Sequence, residues 1–345
     1  MAEKKRLHYI DIAKGVAMLL VLFGHCSYCP TQMKVWLYSF HMPLFFALSG
    51  MTFSVGNGGF KEFFVKKSKG FLLPYVLLSV MLWTLIYPSR IILDGFKLKY
   101  LKTFVGILIG FRHTEFYFTM WFILALYVAE ILLYCIVKMI HNKKLWQKNL
   151  ILLAAFLLCI AVGYAVILRV DGFVWSLDLA AFALAFLICG YLLKLNHELF
   201  SKLSKLYILP LLLICNLGFA YLNYVESGYM VDLYYGKVGN ILYYAAGSVF
   251  GLWFTVALCY VIKKCRPFEY IGKNSLIFYA FQNSLVIPFC KQLTEYGFRA
   301  FQLEFNRPVM FVIIMILSII VLSVMTEIIN RYMPFVLGKA QPIKR

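Results

Sequence analysis

Residues 9–28 read YIDIAKGVAMLLVLFGHCSY. Twenty mostly apolar residues are what an α-helix needs to cross the hydrocarbon of a bilayer. The preceding MAEKKR gives the stretch the look of a signal peptide. Asp11 and Lys14 interrupt its apolar region, however, and no small-residue cleavage pattern follows, so it reads as a retained first helix. At 100° per residue, Lys14 and His25 differ by about 20° in direction and roughly 16 Å in depth. Asp11 lies one turn before Lys14, about 40° off the same line. One stripe thus carries an acid and a base toward one end and an imidazole toward the other. Such a stripe does not face lipid without cost, and each group on it is a functional candidate. The plainer reading pairs Asp11 with a snorkelling Lys14 and hydrogen-bonds His25 to a neighbouring helix.

Outward from this stretch, further apolar runs give ten spans in all. They lie near 10–28, 35–55, 71–93, 119–138, 149–169, 173–193, 206–225, 239–262, 271–290 and 309–330. A short apolar piece at 100–111 is interfacial or re-entrant. The chain has 345 residues, 63% hydrophobic and 14% charged, against about 45–50% and 25% in soluble domains. This excludes a soluble enzyme, a disordered chain and a disulfide scaffold. The expectation is an all-α, polytopic integral membrane protein with about ten transmembrane helices, a single transmembrane domain over 1–345 and no soluble domain. With 34 Lys+Arg against 15 Asp+Glu the net charge is +19. If the N-terminus is cytoplasmic, 22 basic residues fall in cytoplasmic segments and 11 in external ones, with Lys14 inside the first span. That bias predicts both termini in the cytoplasm of a cell-membrane protein. The partner of the excess charge is the bilayer and not nucleic acid, because the charge is divided among separate loops on one face.

The ionisable candidates inside spans are Asp11, Lys14, His25, His41, Glu130, Asp178 and Glu327. His8, His113, His141 and His197 fall in loops or at helix ends. The second span contains YSFHMPLFFALSGMTFS at 38–54, where Pro43 predicts a kink and Ser49-Gly50 close helix packing. His41 enters the membrane at a depth comparable with His25, as a second catalytic group or an interfacial histidine. The following GNGGFKEFFVKKSKGFLLPY at 56–75 reads as a cytoplasmic loop whose lysines either touch anionic lipid or clamp a polyphosphate. Asp178, in WSLDLAAFALAFLICGYLLK at 175–194, either orients His25, bonds a sugar hydroxyl or is a plain helix-end polar residue. Glu130 and Glu327 neutralise Lys14 or the loop lysines. Cys26 and Cys29 have the spacing to pair in an oxidising compartment. No second Cys/His pair supports zinc, so no metal is expected.

RLHYIDIAKGVAMLLVLFGH at 6–25, followed by FHMPLFFALSG at 40–50, resembles the acyltransferase family 3 membrane proteins, most of all their fucose 4-O-acetylase-like acetyltransferase branch. The resemblance continues through FVKKSKGFLLPY, MWFILALYV, LDLAAFALAFLICGYLLK and FEYIGKNSLIFYAFQN. It implies a ten-span enzyme that moves an acyl group, commonly acetyl, from cytoplasmic acyl-CoA to a cell-surface glycan or lipid-linked sugar. The family's first span carries a basic residue, ten intervening residues and an essential His, which match Lys14 and His25. Many relatives have Arg where Lys14 stands, which keeps the charge but loses bidentate phosphate binding. A cytoplasmic basic pair spaced by two residues corresponds to Lys66 and Lys69. A Gly-x-x-Ser pattern is present at Gly272–Ser275, but Gln282 stands where relatives often have a His.

The resemblance implies His25 as the base or acyl-accepting centre; His41 and Asp178 are further catalytic candidates by their places in the spans. Acetyl-CoA or another acyl-CoA would then be held by Lys14, Lys66 and Lys69. Its pantetheine arm, on the order of 15–20 Å long, is comparable with the Lys14–His25 rise. Two rival classes are a transporter or flippase of glycan or lipid-linked intermediates, which also needs polar groups in spans, and a non-catalytic scaffold for glycan machinery.

Overall fold

The computed structural model describes residues 8–111, 120–170 and 172–338. Arg112, His113, the first basic cluster and the last basic residues lie outside them. Among the described residues the regular structure is helical, with only isolated bridges and no strand. The helices are α1 (His8–His25), α2 (Thr31–Tyr38), α3 (His41–Thr52), α4 (Phe60–Asp94), α5 (Leu98–Ile109), α6 (Trp121–Met139), α7 (Leu145–Ile167), α8 (Leu177–Leu195), α9 (His197–Lys202), α10 (Leu209–Ser227), α11 (Ile241–Ile262), α12 (Arg266–Lys273), α13 (Ser275–Phe281), α14 (Ile287–Ala300) and α15 (Arg307–Tyr332). Seven of these elements are long and apolar enough to cross a membrane: α4, α6, α7, α8, α10 with the turn before it, α11 and α15. The expected first, second and ninth spans are not among the seven. α1 carries charge, and the other two are broken.

Both breaks have a proline behind them. The expected kink at Pro43 is instead a full interruption at Ser39–Phe40, between α2 and α3. A helix running through would need the Pro43 nitrogen to donate to the Ser39 carbonyl, which proline cannot do. The Ser248 hydroxyl donates to that carbonyl instead, at 2.8 Å. Pro43 then falls in the first turn of α3, where a missing N–H costs nothing. In the expected ninth span, a π turn at Gln282–Val286 precedes Pro288. The chain thereby takes up a proline that cannot bond the Ser284 carbonyl.

The chain divides into two compact units. The first holds α1 to α3, the half of α8 from Phe186 onward, and α9 to α12. Its tightest packing is at glycines that meet in reciprocal pairs. A Cβ on Gly15 would stand 2.0 Å from the Phe268 carbonyl oxygen, and one on Gly272 1.9 Å from that of Asp11. Between α3 and α8, Gly50 abuts the Leu187 carbonyl and Gly190 that of Ala47. The close packing expected at Ser49-Gly50 is therefore present. At the start of α1, His8 Nδ1 donates to Glu269 Oε2 at 3.1 Å and Lys273 lies 3.5 Å from the same oxygen. The His8 bond, the largest influence, holds the Glu269 carboxyl below its usual range.

The second unit holds α4 to α7, α8 up to Ala185, and α13 to α15. The stretch expected as a loop at 56–75 is helical from Phe60. Its residues Phe63, Lys67, Phe71 and Tyr75 repeat every four positions, which puts them on one helical face. Phe63 and Tyr75 are buried.

Candidate functional site

His25 ends α1, and His41 opens α3. The break between α2 and α3 brings the two together around Tyr38, the last residue of α2. The Tyr38 ring stands 6.3 Å from the His25 ring and 4.8 Å from the His41 ring, centroid to centroid. Both contacts are close to perpendicular, at 73° and 71°. His41 is 5% exposed, and its Nδ1 lies 2.8 Å from the Leu37 carbonyl oxygen. A carbonyl only accepts, so Nδ1 carries the proton of neutral His41 and Nε2 is left as the basic nitrogen. His25 is half-buried, and its imidazole makes no hydrogen bond among the described residues. Its imidazole nitrogens are therefore uncommitted. Lys34 of α2 lies near enough to act electrostatically on His25 and Cys29. Cys26 and Cys29 are buried and are not joined in a disulfide.

The corner that carries this cluster is fixed by neutral polar groups. Trp36 Nε1 donates to Asn216 Oδ1 at 2.5 Å, and Asn216 Nδ2 donates to the Gly247 carbonyl at 2.8 Å. Asn216 and Ser248 are fully buried. A search confined to ionisable residues passes over both. Their signal in the sequence is a polar side chain within an otherwise apolar run. Lys14 is half-buried on α1, eleven residues before His25, which at 1.5 Å per residue puts them about 16 Å apart along the axis.

In the second unit, Lys66 and Lys69 are exposed on the first turns of α4. Lys67 is not equivalent to them: it forms an ion pair with the buried Glu130 and lies over the Phe63 and Phe71 rings at 5.6 and 5.7 Å. Ser68 shares a 2.8 Å hydrogen bond with the Tyr127 hydroxyl. Lys66 and Lys69 are about 60° apart around the helix, so anchoring Lys67 and Ser68 leaves these two as one exposed basic face. Glu130 thus neutralises a loop lysine, as one of its two expected roles had it. Asp178, 3% exposed, sits in the first turn of α8. Gln282, 1% exposed, is the first residue of the π turn. Among the described residues no group of three or more His, Cys, Asp or Glu side chains is arranged to hold a metal ion.

Apolar helices long enough to span a bilayer define a membrane protein, and His25 and His41 gather at a helix break outside those seven helices. The chain belongs to the acyltransferase family 3, whose acyltransferase-domain model matches residues 7–327. No curated protein and no solved structure matches it.

Proposed function

We propose that the protein is a ten-span O-acyltransferase of the cell membrane, moving an acyl group, acetyl first, from cytoplasmic acyl-CoA to a hydroxyl of a cell-surface glycan or lipid-linked sugar. The observation that carries this reading is the uncommitted imidazole of His25, beside His41 and on the helix of Lys14, in a chain of an acyltransferase family. Transfer to a hydroxyl needs a base for its proton and a held thioester. His25 takes the proton of the acceptor hydroxyl or accepts the acyl group itself. Lys14, Lys66 and Lys69 offer point charges to the CoA phosphates, and the depth between Lys14 and His25 suits the length of the pantetheine arm. Asp178 serves as a hydroxyl-binding candidate. The ten spans are the seven long apolar helices together with α1, the α2–α3 pair and the α13–α14 pair. Discontinuous helices of this kind are found in membranes where the irregular backbone lines a polar cavity.

Mass spectrometry of surface glycans and lipids from cells with and without the protein identifies the acceptor. Loss of a general base typically costs 10²–10⁴-fold in rate, whereas a structural hydrogen bond between membrane helices is worth about 0.6 kcal/mol. His25→Ala is therefore expected to abolish transfer in protein that inserts and melts like wild type; retention of more than about a tenth of the rate would remove His25 from this role. Neutralising Lys66 and Lys69 together is expected to raise the apparent KM for acyl-CoA. A fall in expression alone would reduce them to topology signals.

A further inference from the structure

We propose that Tyr38 is a positioning residue whose ring sets the orientation of the His25 imidazole relative to His41. The inference rests on the acyltransferase reading for its kinetic consequence and on the geometry for its structural one. The His25 imidazole makes no hydrogen bond among the described residues, so no orienting partner of the usual carboxylate or carbonyl kind fixes its ring there. What it has is the near-perpendicular Tyr38 contact, and edge-to-face packing of rings is directional.

Tyr38 is itself held on three sides. Its ring lies on Gly24, where a Cβ would come within 2.9 Å of Tyr38 Cε2, so the residue before His25 is one whose lack of a side chain admits the ring. On its other side it packs on His41, whose own ring is tied to the Leu37 carbonyl one residue before Tyr38. Beneath it, α2 is fastened by the Trp36–Asn216 bond and by the Ser248 bond at Ser39. The Tyr38 hydroxyl reaches the Gly24 carbonyl only at 3.5 Å, a long contact that contributes little. The ring is the part that touches His25, Gly24 and His41.

Two readouts test this on full-length protein in membranes: acetyl-CoA turnover, followed as release of free CoA thiol, and the rate at which diethyl pyrocarbonate modifies His25, followed by peptide mass spectrometry. Tyr38→Phe keeps the ring and is expected to hold both within about twofold of wild type. Tyr38→Leu is expected to lower kcat at least tenfold with KM for acetyl-CoA unchanged, in line with the roughly 10²-fold that an ångström-scale misplacement costs, and to change the reagent rate at His25 severalfold. Gly24→Ala, which displaces the ring while keeping Tyr38, should act in the same direction and serves if Tyr38→Leu does not insert. Wild-type kcat and wild-type His25 reactivity in both Tyr38→Leu and Gly24→Ala would overturn the proposal, as would a Tyr38→Phe as impaired as Tyr38→Leu. If wild-type protein turns over no acetyl-CoA, the donor assignment fails, and the reagent rate at His25 still decides the role of Tyr38.

Discussion

His41 and His25 differ in what holds them, and the difference separates their roles. The Leu37 carbonyl takes the Nδ1 proton of His41 and so fixes both the tautomer and the ring. Asparagine can reproduce a donor at nearly that position. His41→Asn is therefore expected to retain more transfer activity than His41→Ala, with both above His25→Ala; equal loss in the two His41 variants would mean that Nε2 and not the Leu37 bond is what matters. At this scale the sequence was informative about identity and poor about surroundings. The cost of an ionisable group in a span singles out His25 and His41 from one chain alone. Their meeting around Tyr38 depends on where the backbone breaks. Pro43 signals a disturbance, but whether it kinks or interrupts depends on whether another group takes the Ser39 carbonyl. Ser248, more than two hundred residues away, is that group.

Among the elements of the first unit, the glycine contacts decide how near the helices come. Gly50 and Gly190 each rest on a backbone carbonyl of the opposite helix, so neither contact can be relieved by turning a side chain. Gly190→Ala would put a Cβ 1.8 Å from the Ala47 carbonyl oxygen, and α3 and α8 would have to separate. Overpacking of this kind typically costs 1–3 kcal/mol. Gly218, in α10, has nothing within 4 Å of its Cβ position, and Gly218→Ala should be neutral or stabilising by up to about 1 kcal/mol. Melting of the purified protein is expected to fall for the first variant and not for the second; an unchanged melt for Gly190→Ala would show that the α3–α8 approach is looser than described. Gly50 is visible in the sequence as half of such a contact. Gly190 is not, because nothing local says which glycine of which helix will face it. The basic stretch at 56–75 misled for a related reason. Its lysines read as solvated loop, yet Lys67 is drawn inward by Glu130, sixty-three residues on, and the segment is helical.

For the whole chain the open quantity is how many times it crosses. Seven helices qualify by length and apolarity among the described residues, and an odd number would put the two ends of that series on opposite faces. The basic residues are biased by nearly the same margin under both counts, 22 against 11 with ten spans and 23 against 11 with seven, so the decision falls to α1, the α2–α3 pair and the α13–α14 pair. These three are the elements that fall short on length or hydropathy, since they carry the Asp11–Lys14 charges, the Pro43 break and the π turn. The two counts agree that 195–205 and 226–237 lie on opposite sides of α10, and they disagree about residues 301–306. With ten spans that connection is external, together with 226–237; with seven it lies on the same face as 195–205. Single cysteines placed in each segment, in a chain cleared of its nine native cysteines, can be labelled with a membrane-impermeant maleimide on intact cells. The expected result is labelling at 226–237 and 301–306, and none at 195–205 until the cells are opened. Labelling of 195–205 from outside would invert the orientation. A protected 301–306 would mean that α13 and α14 do not cross, and would leave α15 to carry the C-terminus to the outer face.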